Sequence, residues 1–433
     1  MRRRFAATAA GAIALSTLAV PPLAGASPAA TPKAQVVTLV TGERVLIREV
    51  AGKPVATVEG GGAYATQMLG EDLYVIPAAA MPYLGRSLDR SLFDVSAMLR
   101  DGLTGDTRIP VQLSYVDTPV AVPGVDAGVV KDSKAFGEAL KTQAGRDAAS
   151  PFAGPGTLFA GVSSIRLAAA GAPQQATPRF PMHTVKILAT GADGKPAVAS
   201  AGVVNTDDAR KYRSFTDTIG GEARISVPDG HYSIVSFFPE FDTQGRLTLL
   251  RGVTTDFTVS GGDTQTTVDA RAATSPVSLS TPLPATPVDG SVGFTRGDSA
   301  GQTLGFTFNF GGDLPILVSP VTTAPTGALH FSIGAYRESP AGTANPYTYD
   351  VKLDNAGTIP ADQHHQVRDD QIARLQVHYF SDVPARKEGS SRILFLPFDV
   401  FGIGSFHLLT APLNRTEYVG GSDVSSTQAV LAG

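Results

Sequence analysis

The sequence contains no cysteine and no tryptophan in 433 residues. The missing cysteine excludes disulfides, thiolate zinc sites and a cysteine nucleophile, so the chain must depend on its cores for stability. A chain of this length has room for two to four domains with sizeable cores. The missing tryptophan removes the ring on which flat carbohydrate-binding platforms usually depend. Long apolar runs are also lacking: Phe5 to Val20 is too short for a comfortable membrane span, and no later stretch is longer. Positive charge is not in excess, with 35 Lys and Arg against 39 Asp and Glu. That balance argues against nucleic acid or anionic membranes as partners through bulk electrostatics.

What is present begins with Arg2, Arg3 and Arg4, then the Ala-rich run to Val20, then Ala24-Gly25-Ala26 before Ser27. A basic head, a short apolar body and an A-x-A site predict a secretory signal peptide over residues 1–26 and an extracellular mature protein. Arg2-Arg3 followed by Phe5 leaves Sec and twin-arginine export both open.

Beyond it, "QVVTLVTGERVLIREV" reads as two strands around a Thr-Gly-Glu-Arg turn, and "AYATQMLGEDLYVIP" as further strand. Leu84, Leu88, Leu92, Val95 and Leu99 recur at helical spacing, although Pro82 and Gly85 weaken the start. In "IPVQLSYV", Val111, Leu113 and Tyr115 alternate as in a half-buried strand. These segments define a small α+β module over residues 35–118. Residues 119–179 are rich in Pro, Gly and Ala and read as a linker with one short helix, "SKAFGEALKTQAGRD", capped by Ser133 or Asp132. From Phe180 onward period-two alternation and frequent turns predict β-sandwiches over residues 180–272 and 285–433, divided by the Pro-rich "TSPVSLSTPLPATPVDG".

"VVTLVTGERV", "DLYVIPAAAMPYL" and "LDRSLFDVSAMLRDG" resemble the N-terminal segments of secreted subtilisin-like serine peptidases of actinobacteria. In those proteins a small α+β propeptide chaperones and inhibits the catalytic domain. The resemblance covers residues 35–115, about a fifth of the chain. "FPMHTVKILATGADGKPA" and "GEARISVPDGHYSIVSFF" are similar to the accessory β-domains of the same proteins, and to transthyretin-like sandwiches. Subtilisin-like catalysis requires Asp, His and Ser in fixed settings, including His-Gly-Thr-His and Gly-Thr-Ser-Met-Ala. None of these settings occurs, and no histidine is followed by glycine, so that activity is not expected.

Other candidate chemistry is sparse. "GDSAG", Gly297 to Gly301, matches the G-x-S-x-G nucleophile elbow, but "QTLGFTFNF" after it is a strand where the elbow needs a helix. A β-turn with solvated charges is expected there, and Arg296-Gly297-Asp298 reads as part of that turn more readily than as an adhesion tripeptide. His364, His365, Asp369 and Asp370, with His378 beyond and Asp354 and Asp362 nearby, carry metal-ligand chemistry. Adjacent histidines on a strand point to opposite faces, so a polar loop is expected. Tyr336, Tyr347 and Tyr349 are expected to pack in a core or at an edge, not to form a sugar platform. Asn414-Arg415-Thr416 is a glycosylation sequon by pattern only.

The expected fold is mainly β: a propeptide-like α+β module followed by transthyretin-like or Ig-like sandwiches. No catalytic, cofactor-binding or metal-ligating residue is assigned. The expected function is that of a secreted, non-catalytic accessory or binding protein. Its partner would be an extracellular protease or a cell-envelope component, with no nucleic acid and no stable membrane span after signal cleavage. Two alternatives stand beside it: a truncated or degenerate subtilisin-like peptidase, and a protease inhibitor acting through the strand around Leu113 to Pro119. Leu73, Val75, Leu92 and Phe93 are expected in the core on any reading.

Overall fold

The computed structural model describes residues 34–50, 52–59, 62–105, 108–149, 158–168, 180–323 and 325–432. The predicted signal peptide lies outside them.

The first alternating segment becomes three antiparallel strands, β1 (Gln35–Thr38), β2 (Arg44–Val50) and β3 (Lys53–Glu59). β4 (Tyr64–Leu69) and β5 (Asp72–Pro77) form the next hairpin. One continuous helix from Leu84 to Leu99 does not form. Asp89 and Asp94 each accept a capping hydrogen bond, from the N–H groups of Ser91 and Ala97. The run therefore breaks into a 3₁₀ turn at Arg90–Phe93 and the short α1 (Val95–Arg100). Leu84, Leu88, Leu92 and Val95 are all buried nonetheless, as are Leu73, Val75 and Phe93. The periodicity marks core residues, while the two aspartates set where helix begins.

β6 (Ile109–Tyr115) is followed by β7 (Val125–Asp126), β8 (Val129–Val130) and α2 (Ser133–Ala149). Asp132 Oδ1 accepts from Ala135 N–H at 2.9 Å, so Asp132 is the cap of α2. The helix docks closely on the β1–β2 turn: a Cβ at Gly137 would lie 2.3 Å from the Thr41 carbonyl oxygen. β9 (Val162–Leu167) then pairs with β6 in a four-strand sheet ordered β7-β8-β6-β9. The segment expected as a linker thus holds a 17-residue helix and three strands.

Strands β10 (His183–Thr190), β11 (Ser200–Asn205), β12 (Arg213–Asp217) and β13 (Glu222–Val227) follow. β14 (Gly230–Phe241), β15 (Leu247–Val259) and β16 (Thr264–Asp269) complete this region. A three-strand sheet, β13-β10-β16, faces β12-β11-β14-β15. Val185, Ile187, Val203, Ile234, Val253 and Val268 lie in the core between them.

The remaining strands are β17 (Ser275–Ser280), β18 (Thr286–Gly297), β19 (Thr303–Gly311), β20 (Ile316–Val318), β21 (Ala328–Glu338) and β22 (Tyr347–Ala356). After them come β23 (Gln363–Gln366), β24 (Ile372–Tyr379), β25 (Arg386–Phe395), β26 (Gly402–Ala411), β27 (Leu413–Gly421) and β28 (Ser425–Ala432). Three larger sheets result: six strands in the order β1-β2-β3-β26-β25-β28, seven as β12-β11-β14-β15-β20-β17-β23, and eight as β24-β27-β22-β21-β18-β19-β4-β5.

Strand pairing crosses the boundaries suggested by the sequence. β3 pairs with β26 in parallel, and β4 pairs antiparallel with β19. Residues 34–433 form one compact unit. An N-terminal hairpin stack leaves open edges, and strands from the far end of the chain satisfy their unpaired N–H and C=O groups. Short-range alternation carries no information about such pairing.

The eight-strand sheet lies between the other two large sheets. One face carries Phe294, Phe306, Phe308 and Phe331, packed around Phe237 of β14 with ring centroids 4.6–5.7 Å from the first three. A Cβ at Gly252 on β15 would meet Phe294 at 2.9 Å, so only glycine admits this closeness. The opposite face meets the six-strand sheet and is polar.

Candidate functional site

The polar face encloses a cavity of about 140 Å³ between the eight-strand and six-strand sheets. Strand alternation places its groups. On β18, Val292 and Phe294 enter the aromatic core, so Asp289, Ser291 and Thr295 face the other way. On β22, Val351 and Leu353 enter the core, and Asp350 and Lys352 face the cavity. Asp289 is directly opposite Tyr336 on β21, and Tyr336 is directly opposite Asp350. The three therefore form one row across three strands. At an inter-strand spacing of about 4.8 Å, the two aspartate backbones lie roughly 10 Å apart.

The cations around the cavity make their ion pairs with other acids. Arg392 Nη2 lies 2.5 Å from Glu417 Oε2 and also donates to Gln428 Oε1. Arg415 Nε donates to Glu417 Oε1 at 2.7 Å, and Tyr379 donates its hydroxyl to the same oxygen. Although burial opposes it, Arg415 and Arg392 hold Glu417 below the usual carboxylate range. Lys352 Nζ pairs with Asp399 Oδ2 at 2.5 Å, and that oxygen also accepts from Leu396 N–H.

Two acids are left over. Asp350 is 8 % exposed and makes no hydrogen bond or ion pair with any described residue. Burial pushes its carboxyl up to about 7, against the pull of Arg392 and Arg415 and with the negative charges of Glu417 and Asp289 adding to the rise. Asp289 is pushed up to about 6 by burial and then by Glu338. His407 Nδ1 lies 3.6 Å from its Oδ2. His407 stacks on the Tyr336 ring with centroids 3.5 Å apart, and its Nε2 is buried without a partner. Burial, followed by Arg415, drives its imidazole down to about 3, so it is neutral and no counter-ion for Asp289.

The residues singled out from sequence lie elsewhere. "GDSAG" is the turn between β18 and β19, with no helix after it. Ser299 is exposed at its tip. The charges beside it are not solvated. Arg296 is 1 % exposed, donating to Ser233 Oγ, to the carbonyls of Ala328 and Thr326, and to Asp256. Asp298 accepts from the N–H groups of Ala209, Ala300 and Gln302. Arg296-Gly297-Asp298 is thus built into the fold, because the turn must anchor β18 against β14 and the Ala209 loop.

His364 and His365 sit on strand β23, not in the expected loop, with His364 exposed and His365 half-buried, and Gln363 holds the His365 ring. Asp370 pairs with Arg368, and His378 with Asn414 of the sequon. Asp362 reaches His364 only at 3.9 Å, and Asp354 pairs with His330. Among the described residues no three His, Asp or Glu side chains cluster as a metal-ligand set. Tyr336 and Tyr349 are buried on opposite faces of the sheet, with Tyr349 stacked on Tyr418 and edge-on to Tyr347. No shared platform forms from the three.

Asp289, Asp350 and the Glu417 network escaped the sequence reading. Their signal is charge alternating with core residues, as in "YTYDVKL", a pattern that ordinarily marks a solvated sheet face.

No family model matches the chain, and no curated protein does. Among solved structures, a candidate adhesin of Bacteroides ovatus is similar at 12 % identity and TM-score 0.20, over 42 % of this chain and 88 % of that one. The TIE protein of Bacillus anthracis is similar at 12 % identity and TM-score 0.16, over 57 % of this chain and 43 % of that one. BcpA, the major pilin subunit of Bacillus cereus, is similar at 10 % identity and TM-score 0.15, over 57 % and 85 %. TM-scores of this size carry no argument about ancestry or activity. Among the described residues no helix is long and apolar enough to cross a membrane.

Proposed function

We propose that the chain is a non-catalytic binding or accessory protein of the cell exterior, related through residues 35–115 to the pro-segments of subtilisin-like peptidases. One observation carries the non-catalytic half: the sole nucleophile-elbow pattern is an exposed β-turn. Among the described residues no serine or threonine hydroxyl hydrogen-bonds a histidine ring, so no hydroxyl is positioned for activation. Among the described residues five histidines do face aspartates, at His183–Asp229, His231–Asp207, His330–Asp354, His364–Asp362 and His407–Asp289. Each is a pair without a third member. The test is hydrolysis of an unstructured protein and a peptide ester by the purified chain. No turnover above buffer is expected; hydrolysis that co-purifies with the chain would overturn the reading, favouring a degenerate peptidase if it survives Ser299→Ala and a Ser299 nucleophile if it does not.

A second reading, inhibition of an extracellular protease, has one feature in its favour. β8 pairs with β6 only at Ile109 and Pro110, while β9 takes the other edge from Val111 to Tyr115. The edge of β6 beyond Gly128, which bonds Val111 N–H, leads to Val116, 67 % exposed. An edge of this kind suits β-augmentation. Titration of the chain into an active subtilisin-like enzyme decides it: no inhibition at micromolar excess removes this reading.

A further inference from the structure

We infer that the cavity between the eight-strand and six-strand sheets is a binding site for a short aliphatic diamine, its two ammonium groups held by Asp289 and Asp350. The inference names a ligand for the binding reading above, while its failure would leave the non-catalytic reading to the hydrolysis assay.

The reasoning begins from charge. A buried carboxyl without a partner is expensive, and native structures satisfy such groups with a hydrogen-bond partner, an ion or water. Here Asp350 is more than nine-tenths buried, faces a cavity, and has no described partner. Arg392 and Arg415 act on its charge from a distance, but their ion pairs go to Glu417 and that of Lys352 to Asp399, so no resident cation contacts it. Glu338 adds a further acid beside Asp289, and its Oε1 accepts from the Tyr336 hydroxyl. Five acids, Asp289, Glu338, Asp350, Asp399 and Glu417, thus stand against three cations, Lys352, Arg392 and Arg415.

Geometry then selects the kind of cation. The two aspartate backbones stand roughly 10 Å apart with Tyr336 between them, and among the described residues no three His, Asp or Glu side chains cluster there to complete a metal-ligand set. Two ammonium groups on a chain of a few methylenes fit that separation, with the methylenes crossing between the carboxylates. A neutral polyol would use the hydroxyls of Ser291 and Thr307, but would leave both acids without charge compensation. About 140 Å³ holds several waters or one such molecule, and no drug-sized ligand.

Isothermal titration of the purified chain with 1,4-diaminobutane, 1-aminobutane, 1,4-butanediol and calcium chloride tests the assignment. The diamine should bind best, and its affinity should fall at least about tenfold between pH 8 and pH 5 as the two carboxyls take up protons. Titration in two buffers of different ionisation enthalpy should show protons released on binding near pH 6. Asp289→Asn and Asp350→Asn should each weaken the diamine at least about tenfold and bring it to the level of the monoamine. Because each change removes a buried charge, a folded variant is expected, and its circular dichroism is the control. The proposal fails if the diamine gives no heat at millimolar concentration at pH 8. It fails equally if butanediol or calcium binds as well, or if the folded variants bind the diamine like the parent chain. If both variants prove unfolded, the parent's proton release decides: diamine binding without it overturns the proposal.

Discussion

On one face of the eight-strand sheet, four phenylalanine rings pack around Phe237; on the other, the same sheet presents carboxylates and an ammonium to a cavity that Arg392 of the six-strand sheet also lines. The aromatic face gains on the order of 25 cal/mol for each Å² of apolar surface removed from water. The polar face gains little, since desolvation of its ions offsets much of their attraction. What it gains instead is room and unmatched charge. The difference teaches where binding chemistry can be held in a β-protein: on the side of a sheet whose stability is already secured from the other side.

The largest effect should come from breaking the aromatic side. Phe237→Ala removes the ring shared by three others and is expected to cost about 3–5 kcal/mol in denaturant-induced unfolding. A cost below about 1 kcal/mol would show that the rings are not close-packed.

On the polar side, Glu417→Gln withdraws the one carboxylate that Arg392 and Arg415 share. The expected loss is about 2–4 kcal/mol, because two buried cations are left without their common anion. No loss would mean that the network is solvated, and the contrast between the two faces would disappear.

Asp350→Asn should act in the opposite direction, and only at high pH. With its carboxyl raised to about 7, the folded protein holds a proton that the unfolded chain releases near pH 4. Stability from this group is therefore lost as pH rises from about 4 to about 7, and Asn abolishes that loss. The variant should match the parent at pH 4 and exceed it at pH 8 by about 1–3 kcal/mol in urea unfolding. Asp289 contributes a slope of the same sign up to about 6, and remains in both proteins. His407, depressed to about 3, contributes a slope of opposite sign, losing stability as pH falls below about 6.5. The difference between variant and parent isolates Asp350 from both.

The smallest effect belongs to Ser299→Ala. An exposed turn hydroxyl without a described partner should change stability by less than about 0.5 kcal/mol. A larger loss would place Ser299 in the anchoring of the sheet alongside Asp298.

Much of the local structure was legible in advance. The mainly β class, a helix capped at Ser133 or Asp132, of which the structure selects Asp132, and the burial of Leu73, Val75, Leu92 and Phe93 all follow from alternation, capping chemistry and apolar content. The turn at residues 298–302 was legible too, but not its burial, since nothing local says that Arg296 will reach Ser233 and Asp256. The site was not legible for a related reason. Period two tells which residues share a face, and it is silent on whether that face meets water or another sheet. Asp350 and Lys352 read as solvent-facing until β25 and β26, tens of residues later, close over them.

The pairing of β3 with β26 also sets an order of events. About 340 residues separate Glu59 from Gly402, so at about 5–20 residues per second β3 exists for roughly 20–70 s before its partner is made. Contacts this distant in sequence are slow to form even in a finished chain. Throughout that interval the edge of β3 is available to any other strand it meets. The polar face waits only tens of residues for β25 and β26, but all of these strands lie late in the chain, so the cavity is among the last features of the molecule to come into being.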